Sequence, residues 1–332
     1  MSKLDKNKKV LIIDFMNMFL RHYVVNCSCD VNGEPTGGVI GFFNDINRLI
    51  AMFSPCKVVV CFDGKYGRKR RLKMFDGYKA GRKSAGLNRQ YFEDSEIDRK
   101  ENKHKQIEIL KNLFLNMPFH CIDVETCEAD DSIAYICEQK LLGMQKIVVS
   151  VDKDFLQLLS DEVSVYNPIR KKMLTVDNIN EDYTVSIKNF IIYKALLGDK
   201  GDNVPHVKGI GDKTIFKLFP FLSSEDRKYY LDDVFKYCSD NCENGEKLDS
   251  KYKLILENRD LIETSYDLTQ LKASILNGEE CGQIDDSLSN KAIFNVLPLK
   301  IAMDSFRLLP MMDVEKFFES LRLIYYKSNN CG

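Results

Sequence analysis

Short apolar runs alternate with longer amphipathic stretches through the first half of the chain. The runs at 10–13 and 57–62 have the length of buried strands, and an aspartate follows each of them. Between them, from residue 40 to 53, apolar residues recur at helical spacing. Strands that alternate with helices pair in parallel and carry the helices on the faces of the sheet. The pattern therefore predicts an α/β fold with a mostly parallel sheet flanked by helices.

The strand pattern continues to about residue 180. Further short apolar runs predict strands at 119–122, 146–151 and 163–166. The last of these is expected to pair with a strand at 172–176, because the two are separated by a turn at Pro168.

Beyond residue 180 the apolar residues recur only at helical spacing, so this part is predicted to be helical. Two polar stretches, 239–249 and 277–290, are predicted to be loops. A chain of 332 residues is long enough for two domains. We expect an α/β domain at 1–185 and a helical domain at 186–332.

The overall charge is nearly balanced, but its distribution is not. The formal net charge is −1, while residues 65–105 contain 14 Lys/Arg and 6 Asp/Glu, a local net charge of +8 that leaves −9 for the other residues. A basic segment on an acidic body indicates a localised phosphate-binding surface, although a solvated helix is the alternative. No apolar run approaches the length of a membrane span, which predicts a cytoplasmic protein. The 11 cysteines have no metal-site spacing and are expected to be reduced thiols.

Acidic residues gather at the ends of the predicted strands, and two more follow a helical pattern three residues apart. Because the carboxyl ends of parallel strands meet at one edge of a sheet, these side chains are expected to converge. So many carboxylates repel one another unless cations neutralise them, and oxygen ligands select Mg²⁺ or Mn²⁺. Any single one of them is as well explained as a helix cap. The set predicts a two-metal site formed by Asp14, Asp63, Glu128, Asp130, Asp131, Asp152, Asp154, Asp199 and Asp202.

A glycine-rich hairpin follows the last two aspartates. Its sequence at 207–214 reads Val-Lys-Gly-Ile-Gly-Asp-Lys-Thr and runs into an apolar helical stretch. Glycines let the backbone turn tightly and present its N–H groups to an anion. A nucleotide-binding P-loop is excluded, because Asp212 stands where that motif requires glycine before the lysine. The hairpin instead favours contacts to a nucleic-acid backbone.

Six ordered motifs together resemble those of the structure-specific 5′ nucleases, a family that includes flap endonucleases, the 5′-nuclease domain of bacterial DNA polymerase I, and bacteriophage 5′→3′ exonucleases and RNase H-type enzymes. The resemblance covers most of residues 10–220. It implies a PIN-like sheet, a helical arch at about 75–108, and a helix–three-turn–helix (helix-hairpin-helix) element at about 190–222. The matching stretches are Ile-Ile-Asp at 12–14, Val-Cys-Phe-Asp at 60–63, Gly-Tyr-Lys-Ala-Gly-Arg at 77–82, Glu-Ala-Asp-Asp at 128–131, Ser-Val-Asp-Lys-Asp at 150–154, and 198–214.

The same resemblance assigns roles to individual residues. It makes the nine carboxylates above metal ligands, with Asp131 also catalytic, and it places Lys79 and Arg82 at the scissile phosphate, where cations offset charge that grows in the transition state. It also implies two Mg²⁺ ions, for which Mn²⁺ substitutes, and a K⁺ ion at the hairpin 207–213. The residues expected to contact DNA are Arg70, Arg71, Lys79, Arg82, Lys83, Lys208, Gly209, Ile210, Gly211, Lys213 and Thr214.

The resemblance therefore implies a Mg²⁺-dependent 5′ nuclease of replication and repair, with 5′→3′ exonuclease, flap endonuclease and RNase H-type activity. Its expected substrates are branched or 5′-flap DNA and RNA–DNA primer duplexes, and its expected partners are a replication polymerase, a sliding clamp or a single-strand-binding protein. The expected location is a bacterial or phage-infected cell. Residues 311–318 are similar to a clamp-binding peptide, but methionine replaces the required glutamine, so a core helix is predicted there.

Two other functions remain as alternatives. A non-catalytic protein that binds branched DNA would have the same fold but would lack part of the carboxylate set, and the sequence has all of it. A PIN-domain ribonuclease acting on single-stranded RNA would have no use for a hairpin that binds duplex.

Overall fold

The protein is built around one six-stranded sheet in the order β3-β2-β1-β4-β5-β6. The computed structural model describes residues 4–81, 99–242, 249–311 and 313–330. Five strands are parallel, and β6 pairs antiparallel with β5. The strands are β1 (Asp5–Asp14), β2 (Lys57–Cys61), β3 (His120–Ile122), β4 (Met144–Val149), β5 (Val163–Asn167) and β6 (Lys172–Leu174).

The central strand is buried on both faces, as its uninterrupted apolar sequence predicts. Residues 10–13 of β1 have no exposed surface, and β1 pairs with β2 on one side and β4 on the other. All six predicted strands are confirmed, with ends that shift by a residue or two, except that β1 begins five residues earlier than the apolar run at 10–13. The parallel strands therefore end at the same edge, and the acidic residues that follow them are brought to that edge.

Helices from the first half of the chain cover both faces of the sheet. One face packs against α1, α2 and α4 through a set of aromatic rings, in which Phe15 lies 4.4 Å from Phe62 and 5.5 Å from Phe42 between ring centroids. The other face packs against α5. These helices are α1 (Phe15–Val25), α2 (Gly37–Phe53), α3 (Lys69–Met74), α4 (Arg99–Phe114) and α5 (Ala129–Gln139).

Helices from the second half divide between two locations. Five of them form a core of their own: α6 (Phe190–Leu197), α7 (Asp212–Leu218), α8 (Leu231–Asn241), α9 (Asp249–Glu257) and α10 (Arg259–Thr269). The remaining three return to the sheet: α11 (Gly278–Ser289), α12 (Val296–Ser305) and α13 (Val314–Asn330). A single helical unit spanning 186–332 does not describe this packing, because α12 and α13 share the core of the sheet.

The predicted loop at 277–290 is wrong, because most of that stretch is helix α11. The helix begins with a capping box in which Asn277 accepts from the backbone N–H of Glu280 at 2.9 Å, and Glu280 accepts from the backbone N–H of Asn277 at 2.9 Å. Only two of its residues, Ile284 and Leu288, are buried apolar side chains in the sheet's core. Its apolar face is therefore too narrow to stand out in the sequence pattern.

The segment that is similar to a clamp-binding peptide belongs to the core. Phe317 and Phe318 are buried in α13, and their rings contact Phe43 and Phe294. The predicted core helix is therefore confirmed. Within the described residues, no helix is both long enough and apolar enough to cross a lipid bilayer.

Candidate metal centre and nucleic-acid interface

Three aspartates are fixed at the ends of β1, β2 and β4 by local backbone geometry. Asp14 ends β1 and caps α1, with its carboxylate accepting from the Asn17 N–H at 3.2 Å and from the Ser150 hydroxyl at 3.0 Å. Asp63 follows β2 and accepts from the backbone N–H of Ala129 at 3.0 Å. Asp152 follows β4 and caps the short helix after it. Asp14 and Asp152 are helix caps, as the simpler interpretation of a single aspartate predicts, whereas Asp63 is held by a residue distant in the chain, and the sheet brings all three to one edge.

Together with the other predicted carboxylate ligands, these three aspartates form an acidic group, whose members repel one another unless a cation neutralises them. Burial, and then the neighbouring charge of Asp63, raises the pKa of Asp14 to about 7. Burial, followed by the charges of Asp152 and Asp14, raises the pKa of Asp130 well above its ordinary value. Burial and Asp152 likewise raise the pKa of Asp154, to about 6, against the lowering effect of Lys194. Such a set of oxygen ligands fits a hard divalent cation, whose charge would favour the ionised carboxylates.

Two of the nine predicted metal ligands are instead bound by a buried arginine. The guanidinium of Arg71 donates to Glu128 at 2.6 Å and to both oxygens of Asp131 at 2.7 and 3.0 Å, and its Nε donates to the Leu268 carbonyl at 3.0 Å. Arg71 is 3% exposed, Glu128 1% and Asp131 0%. In this structure Arg71 is therefore enclosed against carboxylates, and its expected DNA contact remains a prediction. Asp131 is enclosed with it, away from the open part of the acidic group.

Arg70 links Asp131 to helix α11 in the C-terminal part of the chain. Its guanidinium donates to both oxygens of Glu280 at 2.8 Å and lies 3.5 Å from an oxygen of Asp131. Glu280 belongs to α11, so the stretch expected to be a loop supplies a partner for a residue expected to contact DNA. The side chain of Arg70 thus points into the protein between two carboxylates.

Lys79 lies between Glu128 and the Asp199/Asp202 loop. Its backbone adopts a positive φ of 54°, its N–H donates to the Asp202 carbonyl at 2.7 Å, and its ammonium lies 2.6 Å from Glu128 and 3.8 Å from the Asp202 carboxylate. Burial alone would lower the pKa of Lys79, but the nearby carboxylates, Glu128 above all, raise it above its ordinary value. Lys79 is therefore charged and lies at the acidic group, and its predicted phosphate contact remains a prediction.

Lys194 is a site residue that the sequence analysis missed. Its ammonium lies 2.8 Å from Asp154 and 2.8 Å from Asp199, although burial would favour its neutral form. Asp154 and Asp199 come from different halves of the chain, and Lys194 joins them. The only signal in the sequence is one lysine within the apolar pattern of α6, five residues before Asp199. A buried lysine at that position requires carboxylate partners.

The acidic group is thus partly neutralised by the protein's own cations. Across the part of the chain that the structure describes, no three His, Cys, Asp or Glu side chains converge closely enough to hold a metal ion in this arrangement. The carboxylates outside these ion pairs, Asp14, Asp63, Asp130 and Asp152, are the oxygen donors best placed to hold a divalent ion.

The hairpin connects α6 and α7, which lie within the predicted helix–three-turn–helix element at about 190–222. Gly209 has a φ of +90°, a conformation that favours glycine, and Lys208 and Lys213 are exposed on either side of it. Lys251 of α9 donates from its ammonium to the Gly209 carbonyl at 3.2 Å. The predicted K⁺ site at 207–213 remains a prediction, and an ammonium already binds one of the hairpin's carbonyl oxygens.

Half of the predicted arch at about 75–108 lies outside the described residues. Arg82 and Lys83 are within the gap at 82–98, so their roles remain predictions. On the far side of the gap, α4 is a continuous helix whose residues Ile109 and Leu110 are buried against the sheet.

Comparison with known proteins places this geometry in a family. The family model described as the 5′-3′ exonuclease, N-terminal resolvase-like domain, matches residues 9–184. The 5′-3′ exonuclease of Bacillus subtilis is 32% identical over 232 residues, which cover 67% of this chain and 73% of that protein. Flap endonuclease Xni of Shewanella loihica is 28% identical over 270 residues, covering 80% of this chain and 93% of that protein. DNA polymerase I of Caldicellulosiruptor bescii is 32% identical over 225 residues, but this chain covers only 25% of that protein's length.

Solved structures show the same fold. The zinc-bound 5′-exonuclease of phage T5 superposes with a TM-score of 0.64 at 21% identity, covering 85% of this chain and 98% of that one. The bacteriophage T5 D15 flap endonuclease, in a complex with DNA and metal ions, superposes with a TM-score of 0.58 at 19% identity and covers 96% of this chain and 99% of that one. The predicted PIN-like α/β fold is confirmed.

Proposed function

Because this chain belongs to the 5′-3′ exonuclease family and is a nuclease of that family, we propose that it cleaves a phosphodiester near a junction between single-stranded and duplex DNA, using two Mg²⁺ ions. The observation that carries the proposal is the group of aspartates at the carboxyl edge of the sheet. Burial and mutual repulsion raise the pKa values of Asp14 and Asp130, and neither carboxylate is held by the internal lysines and arginine. A group of carboxylates that is unfavourable without cations fits a metal-dependent nuclease.

The carboxylates divide the work of holding the ions. Asp14, Asp63, Asp130 and Asp152 provide the ligands on the side of β1 and β2, and Asp154, Asp199 and Asp202 provide them on the side of α6. Divalent ions bound there supply Lewis-acid stabilisation of the attacking and leaving oxygens. For Asp154 and Asp199 to serve as ligands, Lys194 must release at least one of the oxygens that it binds at 2.8 Å.

Three further parts of the chain position the substrate. Lys79 offers an ammonium that would transfer from Glu128 to the scissile phosphate, where it offsets negative charge that develops during the reaction. The backbone N–H groups of the hairpin at 207–213, with exposed Lys208 and Lys213, would hold the duplex phosphates without reading bases. A 5′ flap and an RNA primer on DNA are the substrates proposed for this arrangement.

The test is a cleavage assay with purified protein on a flap of DNA carrying a 5′ label, run in Mg²⁺ and in EDTA. The matched variant is Asp130→Asn, which keeps the shape of the side chain and removes one charge of the acidic group. We expect cleavage near the junction in Mg²⁺ only, reduced in the variant by about 100-fold or more, since the lost ligand weakens charge stabilisation in the transition state. Circular dichroism would confirm that the variant folds.

Binding of the flap without cleavage in Mg²⁺ or Mn²⁺ would contradict the proposal and would favour the branched-DNA-binding alternative. Cleavage of single-stranded RNA in preference to the flap would favour the ribonuclease alternative. A parallel substrate with an RNA segment at the 5′ end measures the RNase H-type activity separately.

A further inference from the structure

A cavity of about 330 Å³ opens beside the expected metal ligand Asp199. This volume is at the lower end of the range for small-molecule sites and is too small for a base pair. Its walls combine aromatic rings with lysines, a composition that neither a metal site nor an ordinary apolar core requires. The side chains that define it are Lys153, Tyr183, Phe190, Tyr193, Lys194 and Lys200.

The aromatic rings of the cavity are held in place from behind. Phe190 is buried and contacts both tyrosines, with ring centroids 6.2 Å from Tyr183 and 6.0 Å from Tyr193. Tyr193 also stacks on Phe216 at 5.5 Å, and its hydroxyl donates to Asp212 at 2.8 Å. A ring already fixed in position loses little conformational entropy when a ligand stacks on it.

The lysines differ in what they already bind. Lys194 binds Asp154 and Asp199 at the floor of the cavity, so its charge is used within the protein. Lys153 and Lys200 are exposed, and the Lys153 ammonium lies 5.8 Å from the centroid of the Tyr183 ring. An aromatic face with an exposed ammonium next to it matches the two parts of a nucleotide, because the base stacks on the ring and the phosphate meets the cation.

From this geometry we infer that the cavity holds one unpaired nucleotide of the substrate, adjacent to the cleaved phosphodiester, with its base against Tyr183 and its phosphate near Lys153. The inference rests on the proposed function, since the cavity gains its importance from lying against the metal ligand Asp199. A divalent ion is excluded as the occupant by the lysines. The role of the cavity is to keep the junction in register with the catalytic site by trapping a base that has left the duplex.

The test is a scan with an abasic residue, which has the sugar and phosphate but no base. Flap substrates carry the abasic residue at one position at a time across the junction, and single-turnover cleavage is measured for each. In the wild-type protein we expect one position to lose activity by roughly 5- to 100-fold, the contribution of one stacked base. Tyr183→Ala is expected to cleave the unmodified flap more slowly by the same factor. Placing the abasic residue at that position should then cause no further loss of activity in this variant.

Two other variants separate stacking from general damage. Tyr183→Phe keeps the ring and is expected to keep the loss of activity at the one abasic position. Tyr326→Ala removes a tyrosine that is 63% exposed on α13, and it serves as the matched control with no change at any position. Lys153→Ala is expected to weaken binding to every flap and to make the binding less sensitive to salt.

The outcomes distinguish this inference from the proposed function. If the wild-type protein cleaves flaps but Tyr183→Ala still responds to the abasic position as the wild type does, the inference is overturned and the nuclease function stands. If the wild type cleaves none of the flaps, the proposed function is wrong. The abasic scan is then repeated as equilibrium binding in EDTA, where a loss of affinity at one position supports the inference. A binding scan without a position-dependent loss overturns it in that case.

Discussion

Replacing Arg71 is the sharpest test of how the acidic group is balanced. The substitution Arg71→Met keeps much of the side-chain volume and removes the guanidinium. Three hydrogen bonds to Glu128 and Asp131, and one to the Leu268 carbonyl, are lost together. Glu128 keeps Lys79 at 2.6 Å, whereas Asp131 keeps only the more distant contact of 3.5 Å with Arg70.

The expected loss of folding stability follows from these contacts. The variant leaves one buried carboxylate, Asp131, without a close cation, and removing one partner of a buried ion pair costs about 3–5 kcal/mol. The matched control is Arg70→Met, in which Glu280 loses two bonds but still accepts from Thr126 at 2.6 Å and from the backbone of Asn277 at 2.9 Å. Because Arg70 is partly exposed, its loss is expected to cost less, about 1–3 kcal/mol.

The assay is urea unfolding of both variants at pH 7 in EDTA, together with the affinity of the folded proteins for a DNA duplex. We expect Arg71→Met to lower the free energy of unfolding strongly and to change duplex affinity little. The reasoning is refuted if Arg71→Met unfolds within about 0.5 kcal/mol of the wild type while losing duplex affinity. That result would restore Arg71 as the surface DNA contact that the sequence predicts.

Three further predictions concern charge elsewhere in the molecule. Asp130→Asn is expected to raise the melting temperature in EDTA and to remove much of the increase that Mg²⁺ produces, because it relieves repulsion at the acidic edge, whereas exposed Asp161→Asn changes neither. Burial lowers the pKa of His120, so unfolded histidine binds a proton that His120 refuses as the pH falls from about 7 to 5, and the stability of the wild type relative to His120→Gln, measured by urea unfolding, is expected to fall over that range. Lys251→Ala is expected to make duplex affinity several-fold higher in KCl than in LiCl, because K⁺ then replaces the ammonium at the Gly209 carbonyl, while the wild type and the exposed control Lys253→Ala show no such difference. An equal salt response in all three proteins would contradict that last expectation.

The strands and their order along the chain were predictable because strand formation here depends on local composition. Runs such as 10–13 are apolar at every position, which only a strand buried on both faces tolerates in a chain this polar. The helix α11 was not predictable in the same way. Its only buried apolar side chains are Ile284 and Leu288, and a capping box with a polar surface produces little periodic signal.

The carboxylates were predictable as a set but not as individuals. Each follows a strand or opens a helix, so the sequence alone brings Asp14, Asp63 and Asp152 to one edge of the sheet. It does not distinguish Asp130 from Asp131, its neighbour in the same motif, although Asp131 is fully enclosed. A motif therefore predicts where its carboxylates lie, and burial in the folded protein decides which of them an ion can reach.

The sequence by itself determined the order of strands and helices, the position of aspartates just after the strands, and the hairpin. Each of these depends on residues that are neighbours in the chain. Only the tertiary structure decided which cation meets which carboxylate. Arg71 is 57 residues from Glu128 and 60 from Asp131, and no periodicity or spacing relates positions so far apart. Coulomb energy falls with distance and with solvent screening, so charges of the same type acquire different partners and different pKa values only once packing sets their separations and burial. The cavity at Tyr183 arises in the same way, because helix packing brings its rings and lysines together beside Asp199.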